Sequence, residues 1–347
     1  MFLRREQIYS QMRYVVIASI LLAANLVPLS FAQADEVNIY SHRQRVLLDP
    51  FLERFEEKTG IKANVVYASS GLAQRLAAEG AASPADLVLT VDIARLSEYD
   101  ALDLFQPIES DILDAAIPAE MKSKDNSWFG LSKRTRIIVT SKDRVAAGEI
   151  TRIEELADPK WKGRICTRKG SHVYNRALLA SLIAHHGAQE AEEWAQSLVD
   201  NLARRPQGND RAQAKAIFAG ECDVAIMNHY YFAKMENNDK EPEQKEWAAA
   251  LRLVMPNQDD RGSHVNISGG GVARHAPHKE NAIKLLEFLV SDEAQALYAE
   301  VNYEYPITSL AMPNISNIGT FKTDDLPITQ LAVYAMEAQK MIDRVGW

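Results

Sequence analysis

From Val37 onward, short apolar runs alternate with stretches whose apolar residues recur at helical spacing, and this alternation restricts the chain to an α/β fold built on parallel strands. Val37-Asn38-Ile39-Tyr40 is a short strand pattern. Leu47 to Lys58 is helical and Gly60 stops it, and Ala63 to Tyr67 is the next strand. A strand, a crossover helix and a second strand at this spacing make a β-α-β unit. The rhythm continues with Gly71 to Glu79 (helix), Asp86 to Thr90 (strand), Ile93 to Tyr99 (helix) and extended runs within Trp128 to Thr140. Later strands are expected at Gly163 to Thr167, Asp223 to Met227 and Leu251 to Met255. Helices at Ala177 to His185, Ala188 to Asn201 and Asp210 to Ala219 separate them.

Two long extended passages, Leu131 to Thr140 and Leu251 to Val272, are the expected crossings between two lobes. The second contains Gly269-Gly270-Gly271, where the backbone can bend at little steric cost. The expected division is residues 35–133 plus 264–347 in lobe 1 and 134–263 in lobe 2, with a ligand cleft between them.

Residues 1–34 carry an address rather than fold. Arg4, Arg5 and Arg13 give a positive start, Val15 to Phe31 is almost continuously apolar, and Ala32-Gln33-Ala34 is a small-x-small cleavage site. A cleaved signal peptide and a soluble product in an oxidising compartment, most simply a bacterial periplasm, are expected. With 39 Lys plus Arg against 47 Asp plus Glu, the net charge of −8 argues against a nucleic-acid partner. The two cysteines, Cys166 and Cys222, are too few for a four-Cys zinc site and can form one disulfide. Each lies beside a predicted strand of the same lobe, which favours a structural bridge over catalysis. A GxSxG elbow, a P-loop and an HExxH pair are all missing from the sequence.

The tyrosines make the sharpest constellation. Tyr230 and Tyr231 follow the predicted strand Asp223 to Met227, and Tyr174 follows the one ending at Thr167. Strand C-terminal edges of open α/β sheets face the ligand crevice, so three phenols from one lobe can converge there. Aromatic packing at a domain edge is the bland alternative. It is weakened for adjacent tyrosines, because helical neighbours point about 100° apart and cannot both enter one core face. Phenols titrate near pH 10, so holding several as phenolates at neutral pH requires a strong positive charge. Fe(III) suits anionic oxygen donors, whereas zinc and copper call for more His and Cys. Three phenolates neutralise Fe(III) and leave room for a small anion such as carbonate. Arg43 and Gln44 after the first strand, with Arg134 and Arg136 in the first crossing, can supply donors to it. His42 is the best placed histidine for an additional ligand, while His185-His186 suits a helix C-terminus.

Taken together, the chain resembles the bacterial periplasmic ferric-ion-binding proteins, the soluble receptors of ATP-driven iron importers. The resemblance rests on Val37-Asn38-Ile39-Tyr40-Ser41-His42-Arg43-Gln44, Gly130-Leu131-Ser132-Lys133-Arg134-Thr135-Arg136, Gly220-Glu221-Cys222-Asp223-Val224-Ala225, Tyr230-Tyr231 and Asn266-Ile267-Ser268-Gly269-Gly270-Gly271-Val272-Ala273. It implies a type II periplasmic-binding-protein fold, Tyr174, Tyr230 and Tyr231 as ferric ligands, and a permease and ATPase as partners of a monomeric receptor without enzymatic activity. Branches with a larger protein ligand set carry a His-Tyr pair where this chain has Gln44 and Arg45. The resemblance is therefore to the branch in which three tyrosines and a carbonate, supported by Arg43, Gln44 and Arg136, complete the shell; Tyr40 is expected to be structural. Two rivals stand beside it: a receptor for an oxyanion or ferric chelate, and a secreted iron metalloenzyme using His42 or His229.

Overall fold

The computed structural model describes residues 35–307 and 321–347; the expected signal peptide lies outside the described residues. The chain opens with β1 (Glu36–Ser41), α1 (Arg45–Thr59), β2 (Lys62–Tyr67), α2 (Leu72–Glu79), β3 (Leu87–Thr90), α3 (Ile93–Ala101) and α4 (Asp111–Ala116). A long β4 (Phe129–Ser141) leads to β5 (Ile165–Cys166), α5 (Val173–Asp200, broken into two helical parts at Gly187, φ 82°), α6 (Asp210–Phe218), β6 (Val224–Asn228), α7 (His229–Glu236), α8 (Glu243–Ala249) and β7 (Leu251–Val254). The remainder is β8 (Val265–Val272), α9 (Lys279–Leu289), α10 (Asp292–Leu297), a π-helical turn at Tyr298–Asn302, β9 (Tyr305–Pro306), α11 (Ile328–Val333) and α12 (Ala335–Val345).

Hydrogen-bonded neighbours run in the order β2-β1-β3-β8-β4-β6-β5, with β7 and β9 also paired to β4. The pairs β1/β2, β1/β3 and β5/β6 are parallel, as the β-α-β rhythm requires. The antiparallel β4 is the crossing: its first part, to Thr135, pairs with β8, and Arg136 to Ser141 pair with β6 and β7. Strand alternation divides each half into two apolar layers. Val37 and Ile39 face one cluster with Phe51, Phe55, Leu285 and Leu289, while Tyr40 enters another with Leu76, Val88 and Leu96. In the second half Ile138 packs with Trp161, Leu178 and Ile226, and Ile137 and Val139 pack with Ala225, Met227 and Phe232. The outcome is an α/β architecture in two halves, each with two apolar layers, joined through β4.

Three expectations are corrected. The passage Leu251 to Val272 is two strands rather than one, because a turn with Asn257 (φ 60°) and Gly262 (φ 98°) interrupts it. Gly269-Gly270-Gly271 is no bend. These residues run inside β8, and a Cβ on each would meet a neighbouring backbone carbonyl: Phe129 O at 2.4 Å, Val88 O at 2.6 Å and Ser127 O at 2.6 Å. Close approach is their function. The C-terminal segment also departs from the expected lobe 1, since Ala338, Met341, Ile342 and Trp347 sit in the apolar cluster of Trp161, Leu178 and Trp194. The Trp347 indole donates to Thr167 Oγ1 at 2.9 Å. The Cys166–Cys222 disulfide is present, tying β5 to the residues just before β6 with Cα atoms 5.9 Å apart.

Candidate metal-binding cleft

Because β5 and β6 are parallel, the segments that leave them emerge at the same edge of the sheet. His172 caps α5 and its Nδ1 accepts from the Tyr174 backbone N–H at 3.3 Å. Tyr230 and Tyr231 lie in the first turn of α7, which starts directly after β6. The phenols converge. Tyr230 Oη donates to Tyr174 Oη at 2.9 Å, Asn228 Nδ2 donates to Tyr230 Oη at 3.1 Å, and the Tyr231 ring lies 4.5 Å from that of Tyr230. Burial, reinforced by the neighbouring Tyr174, pushes the Tyr230 hydroxyl well above its usual range and that of Tyr231 up to about 12. Both are therefore neutral phenols at pH 7, and a cation that takes them as phenolates must displace their protons.

Three guanidiniums surround the cluster. The Cζ atoms of Arg134, Arg136 and Arg168 stand 5.7, 5.9 and 5.1 Å from the centre of the Tyr174 ring. Arg136 is committed inside the protein, donating to Asp210 at 2.8 Å, Asn228 Oδ1 at 3.0 Å and Asn175 Oδ1 at 2.6 Å. Asp210, fully buried, also accepts from Arg168 at 2.9 Å and from the Asn228 N–H at 2.7 Å. This carboxylate thus orients the residues beside two of the three tyrosines. Arg134 donates to Ile267 O at 2.7 Å and keeps a buried Nε without a partner. Together with Arg136, Tyr174, Asn228, His264 and Asn266 it lines a cavity of about 10 Å³, room for roughly one water.

Just after β1, Arg43 is buried and its fork holds Glu304, at 3.2 Å through Nη1 and 2.7 Å through Nη2. Burial opposes ionisation of Glu304, but Arg43 and Arg134 overcome it and hold the carboxyl down to about 2. Gln44 is exposed and caps α1 by position, without a side-chain bond to the helix. His42 is engaged within the protein, where Nδ1 meets Ala68 O and Nε2 meets Tyr99 Oη, both at 3.0 Å, and burial lowers its pKa to about 4. His229 accepts from the Thr135 N–H at 3.2 Å and stacks on Tyr305 at 4.6 Å, which makes it a packing element of the cleft. Tyr40 is structural as expected, its hydroxyl donating to Glu79. Among the described residues, no group of three or more His, Cys, Asp or Glu side chains is arranged to hold a metal ion. Sequence reasoning missed Asp210, Arg168, Asn175, Asn228 and Glu304. Asn175 and Asn228 adjoin the tyrosines in sequence and could have been flagged, whereas the others carry no local signal.

The two-lobed architecture and the buried cluster of phenols and guanidiniums suit a solute receptor of the binding-protein class. Residues 82–318 match the model of the bacterial extracellular solute-binding proteins, and the chain belongs to that family. It is 41% identical over 318 residues to iron uptake protein A1 of Synechocystis sp., covering 91% of this chain and 88% of that protein. It is 27% identical over 330 residues to the major ferric iron-binding protein of Neisseria meningitidis, covering 93% and 94%. The solved Trichodesmium IdiA/FutA protein, in complex with iron and citrate, superposes with a TM-score of 0.85 at 43% identity, over 90% of this chain and 99% of that one.

Proposed function

We propose that this protein is a periplasmic Fe(III) receptor that captures ferric iron and hands it to the permease and ATPase of an inner-membrane importer. Tyr174, Tyr230 and Tyr231 supply three phenolates to the ion. The observation that carries the reading is the contact of Tyr230 with Tyr174 at 2.9 Å, at the edge shared by two parallel strands and beneath three guanidiniums. Arginine charge lowers the cost of ionising the phenols, and the ferric charge completes their deprotonation. A carbonate fills the positions the phenolates leave, taken by Arg43 and Gln44 of the first lobe with Arg134 and Arg136 beside Tyr174, each of which keeps a buried Nε without a partner. The protein binds and releases without catalysing a reaction, and works as a monomer. A relative called Fe(3+)-binding periplasmic protein, from Serratia marcescens, supports the compartment, and among the described residues no helix is long and apolar enough to cross a membrane. Citrate in the Trichodesmium complex favours a second reading, in which an organic carboxylate replaces carbonate or arrives with the iron.

The test is a visible-absorption titration of the mature protein with Fe(III), with bicarbonate, citrate or neither. Phenolate-to-iron charge transfer should give one saturating band per chain. Iron affinity unchanged after Tyr230→Phe and Tyr231→Phe together sinks the reading.

A further inference from the structure

Resting on that reading of the cleft, we propose that Glu304 is a resident carboxylate of the anion site, which occupies Arg43 and sets the concentration at which an external oxyanion can join the bound metal. Glu304 stands between Tyr303, held in the left-handed region at φ 56°, and β9, which pairs with Ser132 and Lys133 of β4. Its oxygens take both Nη groups of Arg43, and Ser132 and Ser268 donate to Oε2. Arg43 Nη2 also reaches Ser268 Oγ at 2.6 Å. This is the two-point grip by which a guanidinium holds any planar oxyanion, carbonate included.

The residue sits where an incoming anion would be drawn. Arg134, Lys234 and His229 all feel the Glu304 charge. Lys234 stands one turn beyond Tyr230 on α7, with its ammonium 5.9 Å from that ring. Arg43, Ser132, Ser268 and Glu304 are all nearly dry, so the internal carboxylate competes without the translational cost an external anion meets. An oxyanion that also chelates the bound metal gains the energy needed to displace it. Glu304 is thus a specificity determinant rather than a ligand of the metal.

The experiment compares the mature wild-type chain, Glu304→Gln and Glu304→Asp. Bicarbonate is titrated at fixed Fe(III) while the charge-transfer band is followed. In parallel, melting temperature is recorded against bicarbonate with iron withheld. Glutamine keeps the shape but removes the charge that competes, so half-saturating bicarbonate should fall about tenfold and the bicarbonate-dependent rise in melting temperature should exceed that of wild type. Aspartate, one methylene shorter, should fall between them, and it decides the matter if the glutamine variant does not fold. The same bicarbonate dependence in all folded variants, in both measurements, overturns the proposal. Absence of an iron band in wild type as well would instead refute the ferric reading, leaving the melting series to judge the anion site.

Discussion

Asp210→Asn should separate two properties that usually fall together, making the protein less stable yet more tenacious of iron in acid. Asp210 is completely buried and accepts three bonds, from Arg136, Arg168 and the Asn228 N–H. Removing one partner of a buried ion pair costs about 3–5 kcal/mol, because the remaining charge stays buried. Asparagine retains one acceptor, and Arg136 keeps Asn175 and Asn228, so the loss should lie at the lower end, about 3 kcal/mol. Urea unfolding of the iron-free protein measures it as a shift of the midpoint, of roughly 1 M for a slope near 3 kcal/mol/M. The iron effect runs the other way. Asp210's charge helps to raise both Tyr230 and Tyr231, so its removal favours phenolate while Arg136, still held by Asn175 and Asn228, remains beside the cluster. The pH at which half of the charge-transfer band is lost should therefore move down. A stability change below about 1 kcal/mol, or a release midpoint that moves up, would refute the assignment of Asp210 as the hub that holds the arginines against the phenols.

Acid should also destabilise the iron-free protein before its carboxylates titrate. Burial holds His42 at about 4 and His264 at about 3, so below pH 6.5 the unfolded chain binds protons that the folded one refuses. Each contributes stability that is present at neutral pH and lost as pH falls, on the order of 2 kcal/mol by pH 5, visible in urea midpoints at pH 7.5 and 5. Iron binding should release up to three protons per chain into weakly buffered solution at pH 7, and Tyr231→Phe should remove one of them. Replacing Cys166 and Cys222 by alanine opens a loop with a sequence separation of 56, which chain entropy values at about 4 kcal/mol, measurable as a lowered melting temperature. Gly269→Ala should cost about 1–3 kcal/mol, because its methyl would meet Phe129 O and Leu96 in a filled layer.

What could be read from the sequence was what local pattern determines. The strand and helix alternation of residues 37–99 and the crossing within β4 follow from periodicity, and both recur in the structure. Tyr230-Tyr231 stood out because helical neighbours point about 100° apart and cannot both enter one core face, and the structure brings this pair against Tyr174. The triple glycine was misread because flexibility and close approach use the same residue; only the carbonyls of Phe129, Val88 and Ser127 reveal which is at work. Glu304 and Asp210 were invisible for a different reason. The fold makes their roles: Glu304 meets Arg43 across 261 residues and Asp210 meets Arg136 across 74. With 47 acidic residues in the chain, nothing at either position distinguishes it beforehand.

The placement of Arg134 and Arg136 on one strand links this electrostatic frame to motion. Residues two apart on a strand share a face, so both guanidiniums point toward Tyr174. Yet β4 changes partners between them: Thr135 pairs with Val265 of β8, and Arg136 pairs with Asn228 of β6. Arg134 is tethered to β8 through Ile267 O, while Arg136 is tethered to α6, α5 and β6 through Asp210, Asn175 and Asn228. Rotation of one lobe against the other about Thr135 would carry Arg134 away from the phenols and leave Arg136 in place. An opening of that kind would take one positive charge away from the tyrosines, so closure would favour phenolate and opening would favour return of the protons. Replacing Arg134 by glutamine should for that reason weaken iron retention in acid without altering the initial colour at pH 8, where the ferric charge alone suffices to ionise the phenols; equal release midpoints in the two proteins would show that closure has no such electrostatic component.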